Sequence, residues 1–244
     1  MRVTVLGPWG AYPKAGEATA GYWLSIGGRN LLIDCGSGVL AQLQRYCPLH
    51  MLDAAVISHR HYDHVADLGC LQYACLIDTD LAQRSDSLPI FIAGERDEDL
   101  GYKAMKGSDI HRISDGQTLH VCGVDITFFK TFHGAYCLGM IVQAGGRKLV
   151  YTADTCYDES LIAHCAGADV LIAETSFYAD MPNAKQYGHM NATEVGQLAK
   201  EAGAAKLVLT HLPHFGDRSR LAAQAGQIFG GAIETASCGL SFDV

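Results

Sequence analysis

SHRHYDHVADLG, residues 58–69, places His59, His61, Asp63 and His64 within six positions and then runs into an apolar helix start. Clustered imidazoles repel one another when protonated, and buried ones need partners. Two readings are open: a solvated, His-rich polar loop, or a metal site whose other ligands lie far away in sequence. The apolar run AAVIS (54–58) reads as a strand that delivers His59 and His61 into a turn, with a helix beginning near His64. Alternate residues leaving a strand point the same way, so His59 and His61 can hold one ion together. Asp63 and His64, one turn later, face a neighbouring position. Two ions in an open catalytic site need further donors from rigid strand ends.

The rest of the chain supplies such ends. Residues 30–64 run from the buried strand LLID, through a glycine turn and a helix, to AAVIS and His59. Residues 147–177 repeat that grammar: a strand ends at Asp154, a helix follows, and the strand DVLIAE ends at Glu174. A third unit, NATEVGQLAKEAGA (191–204), carries an Asn-x-x-Glu capping box at Asn191 and Glu194, with Gly203 placed to close the helix. It leads into KLVLTH, ending at His211. Polar residues thus recur at the C-terminal ends of apolar strands, where α/β proteins build sites. His133 after ITFFKTF, Asp154 after LVYTA and His211 after LVLT are the candidate distant ligands.

LPIFIAG (88–94), QTLHVCGVDITFFKTFH (117–133) and LGMIVQAGGRKLVYTAD (138–154) alternate and carry glycine turns, which predicts antiparallel hairpins. Strand pairs in each half, separated by helices, predict an α/β (α+β) chain with two facing mixed sheets and helices outside. No linker, low-complexity segment or charge run interrupts residues 1–244, so a single domain is expected.

With 244 residues, 49% of them apolar, and 27 glycines, the composition is that of a globular protein with many tight turns. The net charge of −8 and scattered Lys and Arg argue against a strong electrostatic hold on nucleic acid. No segment approaches the ~20 apolar residues needed to span a bilayer, and the N-terminus reads as a strand entering a glycine turn. Nine cysteines, odd in number and without a C-x-x-C pair, read as reduced thiols, and a cytoplasmic location is expected. None is assigned to the site.

The full H-x-H-x-D-H motif of His59, His61, Asp63 and His64, with TFHGAYCLGM, YTADT and LVLTH following in order, resembles the metallo-β-lactamase fold superfamily over nearly the whole chain. The resemblance is to its phosphodiesterase branch, which includes ribonuclease Z. It implies a four-layer αββα sandwich and a binuclear metal site. His59, His61 and His133 would bind one ion, Asp63, His64 and His211 the other, and Asp154 would bridge them. Five histidines and two aspartates suit zinc best, with manganese or iron as alternatives. Paired ions would hold a bridging water and lower its pKa from 15.7 towards about 7, so that hydroxide attacks phosphorus in line. AETSF and YGHMNATEVG look like the segments of that branch that place a glutamate and a histidine near the leaving group. This nominates His189 as general acid and Glu174 as the residue orienting it, with Asp63 in the catalytic set.

Asp34, ending LLID, either accepts from a ligand histidine or stabilises the following glycine turn. Trp9, Tyr12 and Tyr136 pack a substrate or plug loops. His214 reads as an exposed loop residue, and His50, His111, His120 and His164 as surface. Ribonuclease Z enzymes carry a tRNA-gripping arm between the third histidine and the bridging aspartate, whereas only 20 residues separate His133 from Asp154 here. The expectation is therefore an arm-less metal-dependent hydrolase of a small phosphodiester, possessing no tRNA partner and no membrane contact, with a homodimer allowed by family analogy. The alternatives are a ribonuclease Z-like RNA endonuclease, a lactonase or a thioesterase of the same superfamily. A non-catalytic metal-binding module is the non-enzyme alternative.

Overall fold

A computed structural model describes residues 1–181 and 183–244. The early strands are β1 (Arg2–Gly7), β2 (Gly21–Ile26), β3 (Arg29–Ile33), β4 (Ala54–Ile57), β5 (Leu88–Ala93) and β6 (Ser108–Ile113). They are followed by β7 (Thr118–Val121), β8 (Val124–Lys130), β9 (Leu138–Ala144), β10 (Arg147–Tyr151), β11 (Val170–Glu174), β12 (Lys206–Thr210), β13 (Ala232–Thr235) and β14 (Ser241–Asp243). The helices are α1 (Val39–Leu43), α2 (Tyr62–Val65), α3 (Leu68–Asp80), α4 (Ser160–Cys165), α5 (Ala192–Glu201) and α6 (Ser219–Gly226).

The chain forms two compact units, Met1–Ser114 with His120–Gly123 and Ser237–Asp243, and Asp115–Leu119 with Val124–Ala236 and Val244. In the first, the strand order is β14-β1-β2-β3-β4-β5-β6. Strands β14, β1, β2 and β3 pair antiparallel, while β3 to β6 run parallel. Every residue of AAVI in β4 is buried, the continuous apolar run that an interior parallel strand requires. Here one expectation is corrected. LPIFIAG is not half of a hairpin: β5 lies parallel between β4 and β6. The strand that carries this pairing, SDIHRI, is a polar sheet edge whose sequence holds little apolar signal.

The second sheet has the order β13-β12-β11-β10-β9-β8-β7. Strands β10 to β13 are parallel, and β8, β9 and β10 form the antiparallel meander that the alternation predicted. β9 and β10 are joined at Gly145 and Gly146, both with positive φ, as a two-residue hairpin turn demands. Both sheets are thus mixed.

Helix α5 packs on α4, α6 and β11. The predicted capping box is formed: Asn191 Oδ1 accepts from the backbone N–H of Thr193 (2.9 Å) and Glu194 (3.0 Å), and Glu194 Oε2 accepts from Asn191 N (2.9 Å). Gly203, just past the helix, has φ 63°. Replacing the cap in Asn191→Ala is expected to cost about 1 kcal/mol. A thermal melt followed by circular dichroism should show a Tm lower by about 2–4 °C. Because the cap begins two residues after His189, it also anchors the loop carrying that side chain.

Candidate metal centre

The first unit gathers four of the nominated residues around one buried carboxylate. Asp34 directly follows strand β3 and is fully buried, in the left-handed region at φ 56°, which a short polar side chain tolerates better than most. Its Oδ1 accepts from Ser58 N (2.7 Å), and its Oδ2 accepts from Ser58 Oγ (2.9 Å) and from His64 Nδ1 (2.8 Å). Ser58 Oγ also lies 3.1 Å from His59 Nδ1. Asp34 therefore takes the first of its two predicted roles, holding a candidate ligand histidine. The His59 ring stands 4.8 Å from His61 and 4.0 Å from His64 between centroids. Asp63 Oδ2 accepts from Ala11 N (2.8 Å) and lies 3.8 Å from His64 Nε2. The turn closes because residue 36 is glycine: a Cβ there would sit 2.0 Å from the Asp63 carbonyl oxygen. His59 and His64 are buried, and His61 is exposed.

The second unit gathers the other five. Beyond β8, Thr131 Oγ1 donates to the Asp154 carbonyl (2.8 Å) and Phe132 N to Thr155 Oγ1 (3.1 Å), which ties the His133 and Asp154 segments together. His133 Nδ1 donates to Gly188 O (3.0 Å), and its Nε2 lies 3.8 Å from Asp154 Oδ2. Gly188 allows that approach, since a Cβ there would come within 2.8 Å of His133 Nδ1. His211 Nε2 lies 3.4 Å from the same Asp154 oxygen. Its Nδ1 is 2.8 Å from Ser176 Oγ. Glu174, fully buried, pairs through Oε1 with His189 Nδ1 (2.8 Å) and accepts from Thr155 N (3.2 Å). Its Oε2 accepts from Ser176 Oγ (2.9 Å). The His189 ring lies over His211 at 5.1 Å. Asp154, His189 and His211 each offer one ligand atom, all within 4.8 Å of one another.

Two non-glycine residues of this unit, Ala153 and His211, adopt φ 51° at the ends of β10 and β12. Such conformations cost on the order of 1 kcal/mol or more and persist where the surroundings over-determine them. Here each sits beside or at a candidate ligand.

The donor set suits a cation. His133 Nδ1 gives its proton to a carbonyl and Nε2 faces a carboxylate oxygen, so that in the neutral ring Nε2 is an acceptor. Acceptor atoms that converge with their donors engaged behind them repel one another unless a cation lies among them, and imidazole with carboxylate is a ligand set that divalent metal ions take. The thiols are no part of it. Burial, helped by Asp67 and Asp34, pushes the Cys35 thiol well up, and burial raises Cys156. The nine cysteines form no disulfide among the described residues.

Trp9 is a loop plug, buried with its indole N–H on Glu17 (2.6 Å), whereas Tyr12 is exposed. The Tyr136 hydroxyl accepts from Asp115 N. His111 and His120 are exposed, but His50 and His214 are half-buried. His164 is half-buried and lies flat on Phe129 with centroids 4.4 Å apart, and burial lowers its pKa. Sequence reasoning missed Ser58, Thr155 and Ser176; the one signal for them was a hydroxyl within two residues of a nominated side chain.

Comparison with known proteins follows the same lines. The family model of the Beta-lactamase superfamily domain matches residues 29–212. The "Probable metallo-hydrolase YhfI" of Bacillus subtilis is 42% identical over all of both chains. The crystal structure of that metallo-beta-lactamase fold protein superposes with a TM-score of 0.94 at 40% identity, covering 99% of this chain and 98% of its own. Two more distant structures share the fold. Human tRNase Z, short form, has a TM-score of 0.79 at 22% identity, covering 100% and 99% of the two chains. A diphosphatase of the PhnP family has 0.78 at 17%, covering 100% and 97%. The two mixed seven-stranded sheets with their helices are consistent with the αββα sandwich. No helix of the described residues is long and apolar enough to cross a membrane. The histidine-and-aspartate clusters, the sheet topology and these likenesses agree: the chain belongs to the metallo-β-lactamase fold superfamily, among the metallo-hydrolases.

Proposed function

We propose that the protein is a metal-dependent phosphodiesterase acting on a small phosphodiester. His59, His61 and His133 would hold one divalent ion, Asp63, His64 and His211 a second, and Asp154 would serve both. Zinc suits this set first, manganese or iron next. Bound there, the ions would supply a water of lowered pKa and neutralise charge developing on the phosphoryl oxygens.

The remaining work falls to the chain. Glu174 holds His189 by Nδ1, which leaves Nε2 to deliver a proton to the departing oxygen while the buried carboxylate stabilises the charge on the ring. That pairing, beside Asp154 and His211, is the observation that carries the reading: ligands alone make a metal site, and a held imidazole beside them adds an acid. The compact β9–β10 hairpin between His133 and Asp154 carries no inserted arm, which supports a small substrate rather than tRNA.

The metal-replete protein is expected to hydrolyse bis(p-nitrophenyl) phosphate, to lose that activity on chelation with EDTA, and to regain it with zinc or manganese. A fully metallated protein that leaves the diester intact while cleaving lactones or thioesters would transfer the site to one of those substrate classes. If it cleaves none of them, the non-catalytic module becomes the reading to pursue.

A further inference from the structure

We infer that Ser176 is a positioning residue that holds His211 in its Nδ1–H tautomer and so presents a bare Nε2 to the metal. The inference rests on the ligand role proposed above for His211.

The hydroxyl has three side-chain or backbone neighbours: Glu174 Oε2 at 2.9 Å, the His211 carbonyl oxygen at 3.3 Å and His211 Nδ1 at 2.8 Å. A serine hydroxyl carries one proton, and an ionised carboxylate and a carbonyl can only accept. Two acceptors therefore compete for that proton, and the imidazole is the partner left to donate. The reverse arrangement, with the hydroxyl donating to Nδ1, would set oxygen lone pairs of Ser176 and Glu174 against each other at 2.9 Å in a buried site. With Nδ1 protonated, the neutral ring keeps its lone pair on Nε2, the atom 3.4 Å from Asp154.

The first unit builds the same device from different sequence. Fully buried Asp34 takes His64 directly and reaches His59 through Ser58 Oγ, as fully buried Glu174 takes His189 directly and reaches His211 through Ser176 Oγ. In one case the serine precedes the histidine by one residue, and in the other it follows the glutamate by two. One carboxylate thus orients two imidazoles in each unit, one by contact and one by relay. Outer partners of this kind typically contribute 10- to 100-fold to metal affinity, by fixing both ring orientation and tautomer.

The test compares wild type, Ser176→Ala and Ser176→Thr. Long-range proton–nitrogen correlation spectra of the metal-free proteins, recorded where imidazoles are neutral, read the His211 tautomer directly. The expected result is Nδ1–H in wild type and Ser176→Thr, and the Nε2–H form or a mixture in Ser176→Ala. Competition with a chromogenic chelator should show zinc binding roughly 10- to 100-fold weaker in Ser176→Ala and restored in Ser176→Thr. Wild type in the Nε2–H form, or Ser176→Ala with unchanged tautomer and affinity, would overturn the inference; the wild-type spectrum decides even if the alanine variant does not fold. An His211→Ala protein with full zinc content would instead overturn the ligand reading and this inference with it, a failure recognisable because the tautomers need not change.

Discussion

Asp154→Asn is expected to lower kcat on bis(p-nitrophenyl) phosphate by about a thousandfold. Asp154 is 2% exposed and sits 3.8 Å and 3.4 Å from the Nε2 atoms of His133 and His211. Asparagine keeps the shape and one acceptor but removes the charge that offsets a cation. Metal ions supply several kcal/mol of transition-state stabilisation, and about 1.4 kcal/mol corresponds to tenfold in rate, so losing their hold gives on the order of a thousandfold. Stability should move the other way. Without metal, the variant no longer buries a charge in a crowd of acceptors, so its Tm is expected to equal or exceed that of metal-free wild type. The zinc-dependent rise in Tm, which follows from binding to the folded state, should shrink or vanish. Metal analysis, melting curves with and without zinc, and steady-state kinetics check all three. A variant within tenfold of wild-type kcat and with full metal content would remove Asp154 from the ligand set.

His189→Ala is expected to lower kcat by roughly 10²–10⁴-fold, the usual contribution of a placed general acid, while metal content stays at the wild-type level. The two readouts together separate an acid from a ligand, a needed distinction because His189 lies within ligand range of Asp154 and His211. Leaving groups sharpen it further. A p-nitrophenolate departs without much help from a proton, whereas an alkoxide needs one. The loss should therefore be greater for an alkyl phosphodiester than for the nitrophenyl ester. Equal losses on both substrates together with lost zinc would make His189 a ligand and leave the acid to be found elsewhere.

How far these residues could be read in advance depends on the distance over which each is determined. His59, His61, Asp63 and His64 are legible because one strand end and one turn place them, and the spacing carries the chemistry. His133, Asp154 and His211 are legible as polar ends of apolar strands, a pattern that burial imposes residue by residue. The capping box of α5 is local as well, complete within four residues. The parallel placement of β5 is not legible in its own residues because a parallel partner is non-local, and that partner, β6, is an edge strand free to be polar.

The sequence by itself determined the candidate donors, the strands that carry them and the helix cap behind His189, since each follows from neighbours along the chain and from the need to bury apolar side chains. Only the tertiary structure decided what stands behind those donors. Asp34 meets His64 across 30 positions and Ser176 meets His211 across 35, contacts fixed by which strands lie side by side. A hydroxyl's single proton then settles which nitrogen of the ring is bare, and no spacing along a chain records where that proton goes.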